Sequence, residues 1–277
     1  PLAGHELHGR RRFDDPLPVP QLQRTGQAVK PAWRTAWITG ASHGIGRALA
    51  MQLAAGNTTR VAASARSETQ LQGMQQENSR VEPFVLDVTE PAAVESVIES
   101  IEATLGLPDL VVLNAGTYEP VAAATASVAQ YREHMEVNYM GVVNCLAVVL
   151  PRMLARGSGQ LVIMGSVAGY RGLPQAAAYG PTKAALISLA ETLRLELRGT
   201  GVDVRLVNPG FVATRLTDKN SFSMPALRTP EQAAAAIIRG LQGRGFEVVF
   251  PWRFAFWLKL GRLLPYSLYF RLAGRLA

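Results

Sequence analysis

The chain has 277 residues, 48% of them hydrophobic and 18% charged, a balance that suits one large globular domain and excludes a disordered or low-complexity chain. Its net charge of +7 is carried far more by Arg than by the four Lys at 30, 183, 219 and 259. That charge suits anionic ligands or surfaces, but no zinc-finger, RNP-type or long basic helical pattern accompanies it, so nucleic acid is not expected as a partner.

Residues 1–32 read as an irregular arm with scattered Pro and Gly and a basic cluster at Arg10, Arg11 and Arg12. They lack the apolar centre of a secretion signal, and no uninterrupted apolar run reaches about eighteen residues, so neither export nor a membrane-spanning helix is expected. His5, His8, His43 and His134 have neither the mutual spacing nor the Cys partners of a metal centre, so no metal is expected. The single Cys145, inside GVVNCLAVVL, excludes a disulfide framework and reads as a buried thiol in a reducing, cytoplasmic setting.

From residue 33 to residue 250 the pattern changes to short β-rich runs alternating with helical stretches. The runs RTAWI, RVAAS, PFVLD, LVVLN, QLVIMG, VDVRLV and EVVF read as strands. Between them TEPAAVESVIESIEATL reads as a helix with Thr89 as cap and Pro91 in its first turn, its apolar stripe being Val94, Val97, Ile98, Ile101 and Leu105. A second helix, TPEQAAAAIIRGLQ, is opened by Thr229 and Pro230. Strand and helix alternating in this way imply an α/β fold, a doubly wound parallel sheet of about seven strands with helices on both faces and right-handed crossovers.

The first strand runs into TGASHGIGRALA, where Gly40, Gly44 and Gly46 make a Gly-x-x-x-Gly-x-Gly turn directly before a helix. Such a turn lets backbone approach a pyrophosphate, and the helix N-terminus adds unsatisfied N–H groups and partial positive charge. After the second strand, where an acidic residue would accept from a free ribose 2′-hydroxyl, the chain has Ala65 and Arg66. Arginine favours a 2′-phosphate through a bidentate contact, with Ser42 and His43 placed to support it; the cofactor expected is NADP(H). The alternative for Arg66 is a solvated charge at a helix end.

Tyr179 and Lys183 in AAYGPTKAAL stand four residues apart, with Ser166 upstream in IMGSVAG. On a helix that spacing puts both side chains on one face, so the ammonium can favour the ionised phenol and bring it towards working pH.

These motifs, in this order, resemble the short-chain dehydrogenase/reductase family in its form of roughly 250 residues, over about Trp33 to Phe250. The resemblance implies a Rossmann-like sheet. It also implies that Gly40, Ser42, His43, Gly44, Ile45, Gly46 and Arg66 hold the phosphates, that Asp87 and Val88 in VLDVT meet the adenine, and that Asn114, Ala115 and Gly116 in LNAG line its ribose. Pro209, Gly210, Val212 and Thr214 in NPGFVATR match the segment that covers the nicotinamide. Asn138 in MEVNYMG, Ser166, Tyr179 and Lys183 match the family's catalytic residues. Tyr179 would be the acid that protonates the carbonyl oxygen and Lys183 would stabilise its phenolate and hold the nicotinamide ribose. Ser166 would orient the carbonyl, and Asn138 would hold a water that restores the proton, or brace the backbone of a kinked helix.

The implied activity is NADPH-dependent reduction of a ketone, or its reverse, on a small carbonyl or alcohol substrate. Substrate choice is expected from the loop 211–229 and from GYRGLPQAAA, where Val167, Leu173, Phe211, Phe222 and Met224 suggest a hydrophobic substrate. Residues 251–277 read as a helical extension with five basic and no acidic residues. Leu268, Leu272 and Leu276 share one face of it and Ser267, Arg271 and Arg275 another, as in an interfacial helix. The extension would meet a membrane surface, a partner subunit or the body of the domain. Family members are homodimers or homotetramers through the helices bearing Asn138 and Tyr179. The competing readings are a membrane-surface reductase of lipid ketones, of 3-ketosphinganine or 3-oxoacyl type, and a dinucleotide-binding sensor without catalysis.

Overall fold

The structure is a computed structural model and describes residues 33–56, 59–219 and 224–274. The expected N-terminal arm, Phe222 and the last three residues lie outside the described residues.

Seven strands are formed: β1 (Thr35–Thr39), β2 (Arg60–Ala65), β3 (Val81–Val85), β4 (Leu110–Leu113), β5 (Gly159–Met164), β6 (Val202–Pro209) and β7 (Glu247–Phe250). They make one sheet in the order β3-β2-β1-β4-β5-β6-β7, parallel throughout. The central runs are apolar at nearly every position because both faces are covered: all four residues of LVVL in β4 are buried. From β1 the chain winds outward to β3, then returns to place β4 on the other side of β1. That reversal opens a crevice at the C-terminal ends of β1 and β4, where ligands of such sheets bind.

One face of the sheet is covered by α1 (Gly44–Ala55), α2 (Glu68–Glu77) and α7 (Pro230–Gln242), the other by α3 (Pro91–Leu105), α5 (Gly141–Arg156) and α6 (Tyr179–Glu196). In α3 the expected stripe is the buried one, Val94, Ile98 and Ile101 being fully enclosed. Thr229 and Gln232 form a reciprocal capping box at α7, with Pro230 in its first turn.

Two expectations are corrected. Thr89 does not cap α3; Glu90 occupies that position, and Thr89 instead gives its N–H and hydroxyl to Asp87 Oδ1 at 3.0 and 2.8 Å. β3 starts at Val81 and ends at Val85, so Asp87 lies in the following loop. Pro83 is tolerated inside it because β3 is an edge strand, where a missing N–H leaves no ladder partner unpaired.

A short helix α4 (Val128–Met135) runs through one π-helical turn, Glu136–Met140, into α5. The continuous stretch Val128–Arg156 is long and apolar enough, by length and composition, to cross a membrane, although no uninterrupted apolar run in it reaches about eighteen residues. Here it is a core helix: Val142, Cys145, Val149 and Met153 pack on the sheet and Asn138 is fully buried.

After β7 come α8 (Trp252–Leu263) and α9 (Tyr266–Ala273), joined at Pro265. Between them they bury few side chains, Ala255 fully and Leu258 partly.

Candidate active site

The glycine turn closes over the central strands by contacts that leave no room for side chains. Gly40 has φ +65° and a Cβ there would lie 2.7 Å from Ala115 Cα; a Cβ on Gly46 would lie 2.3 Å from the Gly40 carbonyl oxygen. Asn114 ties the turn to β4, its amide donating to the carbonyls of Thr39 (3.0 Å) and Gly40 (3.2 Å), while the N–H groups of Asn114 and Ala115 bond to Thr39 Oγ1. At the start of α1 the N-cap position is His43, which makes no side-chain cap, and the first turn carries no acidic residue. The helix therefore presents its free N–H groups and its partial positive charge to the crevice.

Ser42 Oγ and His43 Nδ1 are 2.9 Å apart, and His43 Nε2 is buried without a hydrogen-bond partner among the described residues. Burial, then the nearby Arg215 and Arg47, lower the His43 pKa. Arg66 is largely exposed, its guanidinium 3.9 Å from Asp87 Oδ2. An uncapped helix start, an unpartnered ring nitrogen and a largely exposed guanidinium at the same sheet edge are the donor set that a phosphorylated dinucleotide needs, so these residues fit the group. Val88 sits deeper, its side chain against Gly141 and its carbonyl taken by Asn144 at 2.9 Å.

Ser166 follows β5 and opens a short 3₁₀ turn (Val167–Gly169) by accepting from Ala168 N at 3.1 Å, which leaves its hydroxyl proton free to donate. Tyr179 and Lys183 lie on the first turns of α6, and Tyr179 is hydrogen-bonded to Ser166. The Lys183 ammonium donates to the Met164 carbonyl at 2.9 Å and stands 5.6 Å from the centre of the Tyr179 ring. Here the expectation of a phenol brought towards working pH is corrected. Burial pushes Tyr179 up to about 12, the Ser166 bond pulling the other way and Tyr118 adding to the rise; burial also pushes Lys183 down to about 8. With the ammonium turned to a carbonyl and itself disfavoured in charged form, it does not lower the phenol in this state.

Asn138 is fully enclosed and does not line the cleft. Its amide donates to Thr117 O (3.0 Å) and Thr182 Oγ1 (3.1 Å), and its Oδ1 accepts from Thr117 N (2.7 Å). The side chain thus braces the π turn against α6 and the loop after β4, with one Oδ1 lone pair still available. A Cβ on Gly116 would lie 3.1 Å from that Oδ1 and 3.8 Å from Lys183 Nζ.

Ser166, Tyr179 and Lys183 face a cleft of about 600 Å³. Ile45, Asn114, Gly116, Ser166, Tyr179, Lys183, Pro209, Gly210, Val212 and Thr214 all line it; Gly40, Gly44, Gly46, Arg66 and Asp87 lie further along the same edge of the sheet. Of the apolar positions singled out in the sequence, Val167, Leu173 and Phe211 line it and Met224 does not. The loop 211–229 is pinched at its base, Ala213 N bonding to Arg228 O and Arg228 N to Phe211 O.

Sequence reasoning missed three features of the site. Tyr118 packs edge-on against Tyr179, ring centres 4.9 Å apart. Glu247 on β7 accepts from Tyr170 and Lys259 and, at 2.7 Å, from Asn208 Nδ2. Arg171 donates to the carbonyls of Gly261 and of Leu264 (2.9 Å) at the end of α8. Only Tyr118 had a local signal, its place two residues after LNAG.

Fold and site together define a nucleotide-binding α/β oxidoreductase. The model of the short chain dehydrogenase family matches residues 34–224, and the chain belongs to that family. An uncharacterized oxidoreductase of Myxococcus xanthus is 40% identical over 249 residues, 88% of this chain and 98% of that one. The 3-oxoacyl-[acyl-carrier-protein] reductase FabG of Escherichia coli is 34% identical over 66% of this chain and 75% of its own. Among solved structures, a variant of actinorhodin polyketide ketoreductase with NADPH superposes with a TM-score of 0.71 at 26% identity, over 78% of this chain and 95% of that one.

Proposed function

We propose that this chain is an NADPH-dependent reductase that converts a hydrophobic ketone to a secondary alcohol. The observation that carries the reading is the convergence of Ser166, Tyr179 and Lys183 on one wall of a cleft whose other walls include Leu173, Phe211, Leu216, Pro225 and Leu258. NADPH rather than NADH is supported by Arg66 following β2 in place of an acidic residue, and by the ketoreductase neighbour that holds NADPH.

When bound, the reduced nicotinamide supplies hydride to the carbonyl carbon. The Ser166 hydroxyl donates to the carbonyl oxygen and holds it beside Tyr179. As negative charge grows on that oxygen, the Tyr179 phenol gives up its proton to it, which a group held near 12 can do while remaining protonated at neutral pH. The phenolate left behind is stabilised by the Lys183 ammonium. Asn138, by fixing Thr182 and the loop at Thr117, keeps the first turn of α6 in place. Replacing Tyr179 with Phe in an NADPH-oxidation assay over a ketone panel should abolish turnover; unchanged turnover removes the proposed acid, and turnover by no ketone favours a sensor. Arg66 is tested by thermal stabilisation, where NADPH should exceed NADH and equality removes its role.

A second reading is favoured by α8–α9. Trp252, Phe256, Trp257, Leu263, Tyr266 and Phe270 are all more than half exposed, beside exposed Arg253, Arg262 and Arg271 and no acidic residue. We propose that this face rests on an anionic membrane surface of the cytoplasm, bringing the cleft to lipid ketones of 3-oxoacyl or 3-ketosphinganine type. Co-sedimentation with anionic liposomes should depend on residues 251–277, and a wild-type protein that ignores such vesicles ends this reading. Self-association is proposed through the α4–α5 face that exposes Tyr131, Met135 and Met140, with sedimentation velocity as its measurement.

A further inference from the structure

Beside the catalytic cleft lies a second, partly open cavity, of about 370 Å³, between α8–α9 and the segment that joins Ser166 to Tyr179. Val167, Leu173, Pro174 and Leu258 line both cavities, so the boundary that the two share is apolar. Three of the polar side chains that line the second cavity are engaged elsewhere. Tyr170 bonds to Glu247, Tyr269 bonds to the Gly172 carbonyl, and Arg171 is held by the carbonyls of Gly261 and Leu264 with its guanidinium 4.0 Å from the centre of the Tyr269 ring. With these groups turned to protein partners, the contact offered to a ligand is chiefly apolar.

We infer that this cavity is the subsite for the hydrocarbon chain of the substrate, so that the enzyme selects ketones carrying a linear alkyl or acyl chain. A carbonyl held by Ser166 and Tyr179 would send its chain across the shared apolar boundary at Val167 and Leu173 into it. At ~30 Å³ per small-molecule unit, the liquid share of a water, the cavity takes roughly ten to twelve chain carbons. Specificity thereby rests on the extension α8–α9 rather than on the loop 211–229 alone. The inference rests on the reductase reading for the position of the carbonyl, but not for the binding of the chain.

The test uses the full chain, NADPH and the alkan-2-ones from butan-2-one to dodecan-2-one, with calorimetric binding of dodecan-2-one as a readout independent of turnover. Each added CH₂ should raise kcat/KM about fourfold, the equivalent of ~0.8 kcal/mol, until the cavity is filled near ten carbons. Gly261 lines the cavity and a Cβ there meets no atom within 4 Å, so Gly261→Phe should fill the space without displacing the backbone that Arg171 grips. Ala273→Phe approaches from α9. Both variants should keep wild-type kcat/KM for butan-2-one and NADPH stabilisation while losing the chain-length gradient and dodecan-2-one binding. Turnover equally fast at every chain length in the wild type overturns the subsite and leaves the reductase standing. Dodecan-2-one binding that Gly261→Phe abolishes, with no ketone reduced, upholds the subsite and removes the reductase. Wild-type affinity and gradient retained in both variants overturn the assignment to this cavity.

Discussion

Arg171→Ala isolates what holds α8–α9 to the catalytic body. The guanidinium donates to two carbonyls at the C-terminal end of α8, where a cation also meets the negative end of the helix dipole, and it lies 4.0 and 5.0 Å from the ring centres of Tyr269 and Tyr266. Two charge-assisted bonds at ~1.5–3 kcal/mol each and cation–π contact at ~0.5–1 kcal/mol set an upper bound. Released carbonyls at this half-exposed edge regain water, so the net loss of docking free energy is about 2–3 kcal/mol. At ~1.4 kcal/mol per factor of ten, detachment of α8–α9 becomes roughly 30- to 150-fold more frequent. Native-state hydrogen exchange reads this directly: amides of residues 255–274 should exchange faster by that factor, while those of β1, β4 and β5 keep their rates. Arg171→Lys, which cannot span both carbonyls or stack on the rings, should recover only part of the protection. Unchanged exchange in α8–α9, or acceleration spread evenly over sheet and tail, refutes the reasoning.

Three further expectations follow from the site and its supports. Lys183, held down at about 8 against its ordinary 10.5, binds fewer protons folded than unfolded between those values, so stability should rise across that window by about 3 kcal/mol in all. Tyr179, held up at about 12, reverses the trend above pH 10, and urea midpoints of Lys183→Met should lack the rise. Gly46→Ala places a methyl 2.3 Å from the Gly40 carbonyl oxygen; the turn must open, and thermal stabilisation by NADPH should vanish although the apo protein melts cooperatively. Thr229→Ala removes one half of the α7 capping box, a loss of ~1 kcal/mol that a thermal melt should register as a fall of roughly 2–4 °C in Tm.

What could be read from the sequence was local. The glycine turn, the Tyr179–Lys183 spacing and the apolar strand runs all lie within a few residues, and the sheet follows from their alternation. The ends of β3 were misplaced: the run PFVLD begins at Pro83, whereas the strand begins two residues earlier at Val81, because an edge strand has no use for the missing N–H. Thr89 had the chemistry of a cap, yet Asp87 two residues back offered its hydroxyl a carboxylate first. The Glu247 cluster was invisible because its partners Tyr170, Asn208 and Lys259 come from three separate segments. Arg171 lies ninety residues and more from the carbonyls it holds, and no spacing rule reaches so far. The pKa of Tyr179 was missed for a related reason: spacing put the ammonium on the right face of α6, but burial and the Met164 carbonyl decide where it points and what it does.

The π turn at Glu136–Met140 has a consequence for how this family member could lose its chemistry. Such a turn is one residue inserted into an otherwise α-helical path, so shortening the chain by Asn138 would bring α4 and α5 into ordinary register with the core-facing side of α5 still aimed at the sheet. A chain lacking Asn138 should therefore melt as a folded protein while Thr182 and the loop at Thr117 lose their common brace. Fold and activity are thus separable by a single codon, which makes this turn the most economical place at which a reductase of this shape could become a silent binder of its nucleotide.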